Sequence, residues 1–259
     1  MSRKKIGLAL SGGGARGFAH VGVLKVLVEN NIPIDMIAGT SAGSIIGGAF
    51  AAGMSIDEIF SMATKVGWTN MTRPSFSFGG LLSNAPMGNF LRRHFPVTRF
   101  EDLAIPFSAV SYDLATSKTV IFETTGDVID AVRASCAVPG VFAPFRDEGG
   151  RSLVDGGVVS PIPVEVVRKM GADIVIAVDL LSCGSTFRSR SRTGLGIMLE
   201  SVLALLQTVS YSEHQSADLI VEPQIAHLRP DQIGKRDEFL ALGEKAAREK
   251  IDEIKNIVE

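Results

Sequence analysis

The sequence predicts an α/β fold built on a mostly parallel central sheet, and two observations support this prediction. Near the start of the chain, a short apolar run, a turn and a helical pattern follow one another twice. Two consecutive strand and helix units of this kind form parallel strands with right-handed crossovers. Farther along, residues 173–180 (DIVIAVDL) form a continuous apolar run, which is typical of a strand that a parallel sheet buries on both faces.

Hydrophobic periodicity places the individual elements along the chain. The first unit has a strand over 5–11 and a helix over 17–30, and the second has a strand over 36–40 and a helix that continues to about residue 52. Further strands are predicted at 106–112, 118–123, 173–180 and 218–222, and further helices at 195–211 and 238–258.

Two segments lack a regular pattern and are predicted to be mobile loops. Residues 67–90 carry Trp68 and paired glycines, and they fit either a lid that faces lipid or an ordinary surface loop. Residues 182–194 carry three arginines, which fit either contact with phosphate headgroups or a solvated loop. We expect one domain over residues 1–259, with its motifs in about 5–180 and the C-terminal helices of 195–258 packed on it.

Composition excludes several classes of protein. The 26 Lys and Arg residues against 28 Asp and Glu give a formal charge of -2, which argues against a dedicated nucleic-acid-binding protein. Cys136 and Cys183 lack the spacing of a zinc site, and no metal or cofactor is expected. The N-terminus lacks the pattern of a signal peptide, so a cytoplasmic protein is expected. Residues 36–54 carry no charge, but they are mostly small and are not expected to span a membrane.

Residues 39–43 (GTSAG) match the GxSxG pattern of a nucleophile elbow, between the second predicted strand and the second helix. A strand that turns sharply into a helix exposes the central serine, and the glycines allow the backbone to pass close to its neighbours. The amides at the start of the helix favour negative charge at this point. Ser41 is therefore the candidate nucleophile, although a serine here could also simply cap the helix.

Residues 12–17 (GGGARG) lie between the first strand and the first helix. Consecutive glycine amides can converge on an anion, which makes this loop a candidate oxyanion hole. Gly12, Gly14 and Gly17 also fit the GxGxxG pattern of a dinucleotide-binding fold. A dinucleotide-binding fold also requires an acidic residue at the end of the second strand, but this sequence has Gly39 and Thr40 at that point.

A third element, Asp155-Gly156-Gly157, follows a short apolar piece and precedes Pro161 and Pro163. It places a carboxylate on a loop. Taken alone, this would be an ordinary aspartate and glycine turn.

Together the three elements, in this order, resemble the patatin-like phospholipase family, whose pattern is a GGGxRG loop, a GxSxG elbow and a DGG or DGA carboxylate. The stretches at 17–24, 133–139 and 161–163 are also similar to this family, so the resemblance covers about residues 5–180. It implies a three-layer α/β/α sandwich around a mostly parallel central sheet.

The resemblance also implies a catalytic dyad of Ser41 and Asp155 without a histidine. Gly12, Gly13 and Gly14 would form the oxyanion hole, with Arg16 shaping or charging it. The expected substrates are acyl esters of phospholipids, lysophospholipids or related lipids, with a transient contact at a membrane surface, and the oligomeric state is left open.

Two alternatives stay open from the residues themselves. One is a Ser–Asp–His triad of the α/β-hydrolase kind, in which Ser41 works with Asp155 or Asp179 and with His214 or His227. The other is a regulatory protein that has kept the fold and acts through partners.

Overall fold

The computed structural model describes residues 3–75, 79–181 and 194–259. Its strands are β1 (Ile6–Leu10), β2 (Met36–Thr40), β3 (Arg73–Pro74), β4 (Leu82–Ser83), β5 (Phe107–Asp113), β6 (Lys118–Phe122), β7 (Phe145–Arg146), β8 (Ser152–Asp155), β9 (Ile174–Val178) and β10 (Leu219–Val221). Its α-helices are α1 (Phe18–Glu29), α2 (Ala42–Ala51), α3 (Ile56–Thr64), α4 (Trp68–Met71), α5 (Ala85–Arg92), α6 (Val128–Ser135), α7 (Val164–Lys169), α8 (Gly194–Ser216) and α9 (Arg236–Val258).

Within these described ranges, eight strands form the central sheet in the order β10-β9-β1-β2-β5-β8-β7, with β6 paired to β5. The neighbours from β10 to β5 run parallel, whereas β6, β7 and β8 are antiparallel to their partners. Helices cover both faces of this sheet. The predicted α/β fold with a mostly parallel sheet is therefore confirmed.

The alternation of side chains along the strands divides the core between the two faces of the sheet. In β1, Ile6, Leu8 and Leu10 point into the larger cluster, which includes apolar residues of α1, α2, α6 and α9. Ala9 points to the opposite face, where it packs in a smaller cluster with Val164 and other residues of α7. Because both faces are buried, these strands carry no polar alternation, as their sequence predicts.

Helix α9 packs directly against α1 through glycines on both helices. A Cβ atom added at Gly22 would lie 2.1 Å from the Leu240 carbonyl oxygen, and one added at Gly243 would lie 2.1 Å from that of Ala19. The two backbones therefore touch without intervening side chains. Lys25 and Glu244 form an ion pair of 2.8 Å beside this contact.

Residues 67–90 are more ordered than the predicted loop. They contain α4, the β3 and β4 hairpin and the start of α5, so the prediction of an irregular segment is wrong for those residues. The sequence signal is weak here because each element is very short. Most of the second predicted loop, residues 182–193 with Cys183, lies outside the described residues, as do residues 76–78.

The uncharged stretch 36–54 folds as β2 followed by α2 rather than as one long helix. Among the helices that the structure describes, none has the combination of length and hydrophobicity that crossing a bilayer requires.

The α1 and α9 contact predicts that Gly22→Ala and Gly243→Ala each lower the free energy of unfolding by about 1–3 kcal/mol, because the added methyl group forces the two backbones apart. Urea denaturation measures this loss. Gly234→Ala is the matched control, since nothing lies within 4 Å of a Cβ atom at that position. Alanine is the better helix former by roughly 0.5–1 kcal/mol, so a gain of stability in the first two variants would contradict the contact.

Candidate active site

Strand β5 brings the ends of β2 and β8 together. Thr40, the last residue of β2, pairs with Val110 of β5, and Asp155, the last residue of β8, pairs with the next residue, Ser111. Strand β6 also pairs with Val110 and Ser111 of β5. Since β2 and β8 already occupy one edge of β5 at these residues, β6 lies along the other edge. Strand β2 is parallel to β5 and β8 is antiparallel to it, so the two strands run toward each other and their C-terminal ends meet.

Ser41 lies in a strained turn immediately after β2. Its backbone has φ 52° and ψ -121°, a conformation that L residues rarely adopt, and such strain is concentrated at functional sites. The turn is tight enough to require glycine nearby: a Cβ atom at Gly43 would lie 2.2 Å from the Leu10 carbonyl oxygen. The GTSAG segment therefore forms the elbow that the sequence predicts, and Ser41 stands at the N-terminus of α2.

Asp155 is buried beside Ser41. Burial raises the pKa of the Asp155 carboxyl to about 6, whereas hydrogen bonds from the Ser41 hydroxyl and the Gly157 amide lower it. The Gly157 amide lies 2.8 Å from Asp155 Oδ1. A carboxylate with this pKa is a stronger base than an exposed aspartate and is still mostly ionised at neutral pH.

The glycine loop presents its amides in two different ways. The Gly12 amide donates a hydrogen bond to the Pro161 carbonyl at 3.0 Å, so it is already occupied. The amides of Gly13 and Gly14 form no hydrogen bond within the described part of the chain. Gly14 has φ +59°, and a Cβ atom there would lie 2.7 Å from the Pro230 carbonyl oxygen, so this position requires glycine.

The Arg16 side chain connects the glycine loop to two other segments of the chain. Arg16 is 4% exposed, and its guanidinium donates to the Leu228 carbonyl through Nε and Nη2 at 3.2 and 3.1 Å. It also donates to the Leu180 carbonyl at 3.1 Å. Because these donors are turned toward the backbone of two other segments, the arginine shapes the loop.

Two residues at the C-terminal end of α6 reach Ser41 and were not singled out from the sequence. The Ser41 amide donates to Ser135 Oγ at 2.9 Å, which holds the elbow from one side. The Cys136 thiol is hydrogen-bonded to Ser41 and Ser44, and burial raises its pKa, so it remains a neutral thiol. Both residues fall in the family-like stretch 133–139, but a serine beside a cysteine indicates no particular contact by itself.

An apolar cavity of about 180 Å³ opens onto Ser41 and Gly14. Its walls come from five α-helices, α1 to α5, and from connecting segments. The apolar lining residues are Ala15, Phe18, Ala42, Ile45, Ile46, Met62, Ala63, Val66, Trp68, Met71, Met87, Phe90, Leu91, Val138, Phe142, Pro230 and Ile233. Apolar walls around a few polar groups are typical of a site for a hydrocarbon ligand.

The candidate histidines have other partners. His227 is 57% exposed, and its Nε2 lies 3.1 Å from Glu238. The Nδ1 atom of His214 lies 3.0 Å from Asp179, which is completely buried. Among the residues that the structure describes, Asp155 is thus the acid whose pKa the Ser41 hydroxyl lowers, whereas both of these histidines pair with other acids.

Comparison with known families matches residues 8–168 to the family model described as patatin-like phospholipase. An uncharacterized NTE family protein of Mycobacterium tuberculosis is 40% identical over 182 residues, which cover 69% of this chain and 50% of that protein. Lysophospholipase nte1 of Neurospora crassa is 34% identical over 68% of this chain and 12% of its own length. The chain therefore spans about half of the mycobacterial relative and a small part of the fungal one.

Solved structures with the same fold include VipD from Legionella pneumophila, with a TM-score of 0.57 and 14% identity over 97% of this chain and 67% of that chain. The type III effector protein ExoU has a TM-score of 0.53 and 12% identity, covering 98% of this chain and 53% of that one. At this level of identity, the similarity concerns the fold alone.

The raised pKa of Asp155 predicts how the reactivity of Ser41 depends on pH. The rate of labelling by a fluorophosphonate probe should fall roughly tenfold per pH unit below about pH 6, because protonated Asp155 cannot accept the hydroxyl proton. Above that pH the rate should level off. Circular dichroism over the same range separates this titration from acid unfolding, and a bend near pH 4 would contradict the effect of burial on Asp155.

Proposed function

This chain belongs to the patatin-like phospholipase family, and from that premise we propose that it is a serine esterase that hydrolyses acyl esters of lipids through a Ser41 and Asp155 dyad. The reaction is of the phospholipase A or lysophospholipase type. The observation that carries this proposal is the contact between the Ser41 hydroxyl and the buried Asp155 carboxylate beside an apolar cavity.

The chemistry follows from this contact. Asp155 accepts the hydroxyl proton as Ser41 Oγ attacks the ester carbonyl, and the carbonyl oxygen takes on negative charge. When the intermediate collapses, the bond to the alcohol oxygen breaks and Asp155 returns the proton to that oxygen. Water then attacks the acyl-enzyme while Asp155 accepts its proton, and as the bond from the acyl carbon to Ser41 Oγ breaks, Asp155 returns that proton to Oγ and the fatty acid leaves. The carboxylate thus serves as base and acid in both halves of the reaction.

The negative charge on the carbonyl oxygen requires donors in place before the attack. The amides of Gly13 and Gly14 are the donors that we assign to this oxyanion hole, together with the N-terminus of α2. Gly12 and Arg16, predicted as parts of the hole, contribute through their contacts with Pro161, Leu228 and Leu180, which hold the loop in shape. Loss of a single donor in such a hole typically costs roughly 100- to 1000-fold in turnover.

The cavity supports an acyl chain as the part of the substrate that binds beside Ser41. Its walls are almost entirely aliphatic or aromatic, and they include the half-exposed Trp68. An ester of a long acyl chain matches this lining better than a polar ester does. The name of the fungal relative, lysophospholipase, agrees with a single-chain lipid ester as substrate.

We also propose that the chain is cytoplasmic and touches a membrane surface transiently, with residues 65–75 and 79–83 facing the lipid. Trp68 and Leu81 are 49% and 57% exposed, although both are apolar. Lys65 and Arg73 are exposed among the same residues and can meet anionic headgroups. A tryptophan beside cations is typical of proteins that bind at the boundary between water and lipid.

Substitution of the dyad tests the proposed function. Ser41→Ala and Asp155→Asn should each reduce the hydrolysis of a p-nitrophenyl acyl ester by at least about 1000-fold, because the two residues act as a unit. His227→Ala and His214→Ala should stay within about threefold of wild type, since neither ring takes part in a dyad mechanism. Loss of activity in a histidine variant, with Asp155→Asn still active, would favour the Ser–Asp–His triad.

Vesicle binding tests the membrane contact. Arg73→Glu should weaken binding to vesicles with anionic lipid roughly tenfold, because each cation near such a surface contributes about 1 kcal/mol. Leu81→Ser should weaken it several-fold. Leu114→Ser is the matched control, since Leu114 is another half-exposed leucine that follows β5, outside residues 65–75 and 79–83. Equal loss in the control, or none in the first two variants, would contradict this surface.

A further inference from the structure

Residues 160–162 connect the two loops of the candidate site. The Thr40 hydroxyl, at the end of β2, donates to the Ser160 carbonyl at 2.7 Å. The Gly12 amide, in the glycine loop, donates to the Pro161 carbonyl at 3.0 Å. One short segment therefore supports both the strand that carries Ser41 and the loop that carries Gly13 and Gly14.

This segment is fixed in turn by one carboxylate from α8. The Ser160 hydroxyl donates to Glu213 Oε1 at 2.5 Å, and the Ile162 amide donates to Glu213 Oε2 at 2.8 Å. Each oxygen of the carboxylate thus accepts one hydrogen bond. Pro161 and Pro163 have no amide hydrogen, so the Ile162 amide is the main-chain donor available within residues 161–163.

The environment of Glu213 opposes a charged group. Burial, together with the negative charges of Glu165 on α7 and Asp179 after β9, raises the pKa of Glu213 to about 7, although the two hydrogen bonds lower it. Burying a carboxyl near other acids costs stability that hydrogen bonds only partly offset, and groups in such environments are concentrated at functional sites. No step of the proposed reaction uses this group directly.

We propose that Glu213 is a positioning residue: it holds residues 160–162 in place, and through them it fixes the Ser41 elbow relative to the glycine loop. The inference rests on the proposed function, because its importance lies in aligning the nucleophile with the oxyanion hole. Through Glu213, helix α8 is then part of the framework that holds the catalytic loops. Misplacement of reacting groups by about 1 Å can cost on the order of 100-fold in rate.

The test compares three variants in α8. Glu213→Ala removes both hydrogen bonds, and kcat for a soluble p-nitrophenyl ester should fall about 100-fold with little change in KM, because alignment is lost and acyl-chain binding is kept. Glu213→Gln can still accept from the Ile162 amide and donate to Ser160 Oγ, so it should stay within about fivefold of wild type. Gln215→Ala, an exposed position on the same helix, should leave kcat unchanged.

Hydrogen exchange gives a second readout that does not depend on activity. In Glu213→Ala, peptides covering residues 10–17 and 36–44 should exchange faster than in wild type, whereas Glu213→Gln and Gln215→Ala should match wild type. Should Glu213→Ala fail to fold, Ser160→Ala removes one of the two hydrogen bonds without altering α8 and should shift both readouts in the same direction.

The outcomes separate the two proposals. If Glu213→Ala matches Gln215→Ala in kcat and in exchange, Glu213 does not position the site. If wild type releases no p-nitrophenol and the fluorophosphonate probe leaves Ser41 unlabelled, the proposed function fails. The exchange comparison then still decides whether Glu213 holds the two loops.

Discussion

The candidate site depends on one constraint, the use of a single edge of β5 by two strands that approach from opposite directions. Strand β2 pairs with the first part of β5, and β8 pairs with the last part. Their ends meet at Val110 and Ser111, so Ser41 and Asp155 become neighbours although they are far apart in sequence. Main-chain hydrogen bonds of a sheet fix this register, and a shift of one residue would turn the side chains to the other face.

Around this meeting point, buried polar groups of one segment are held by hydrogen bonds to polar groups of other segments. The Ser41 amide reaches Ser135, the Thr40 hydroxyl reaches Ser160, and Arg16 reaches two carbonyls. Each of these contacts satisfies a group that would otherwise be costly to bury. The reactive serine can therefore keep a strained backbone, because its neighbours determine its position.

Much of this arrangement follows from sequence patterns. The strands and helices on either side of the glycine loop and of Ser41 lie where their apolar periodicity predicts, whereas Asp155, expected on a loop, is the last residue of β8. The antiparallel direction of β8 could not be predicted from the sequence. The local pattern of a four-residue strand does not show which strand it pairs with, or whether the pairing is parallel or antiparallel. For the same reason, the glycine motif identified the loop but not that Pro161 occupies the Gly12 amide. Ser135 and Glu213 act through long-range contacts, which single residue types do not reveal.

The backbone contact between α1 and α9 also concerns the order in which the chain can fold. Helix α1 follows the first strand, but part of its surface is covered by Phe239, Ala246 and other residues of α9. During synthesis, at about 5–20 residues per second, that surface stays open to water until residues 236–258 have left the ribosome. Until α9 has been synthesised, the apolar face of α1 is therefore open to non-native contacts.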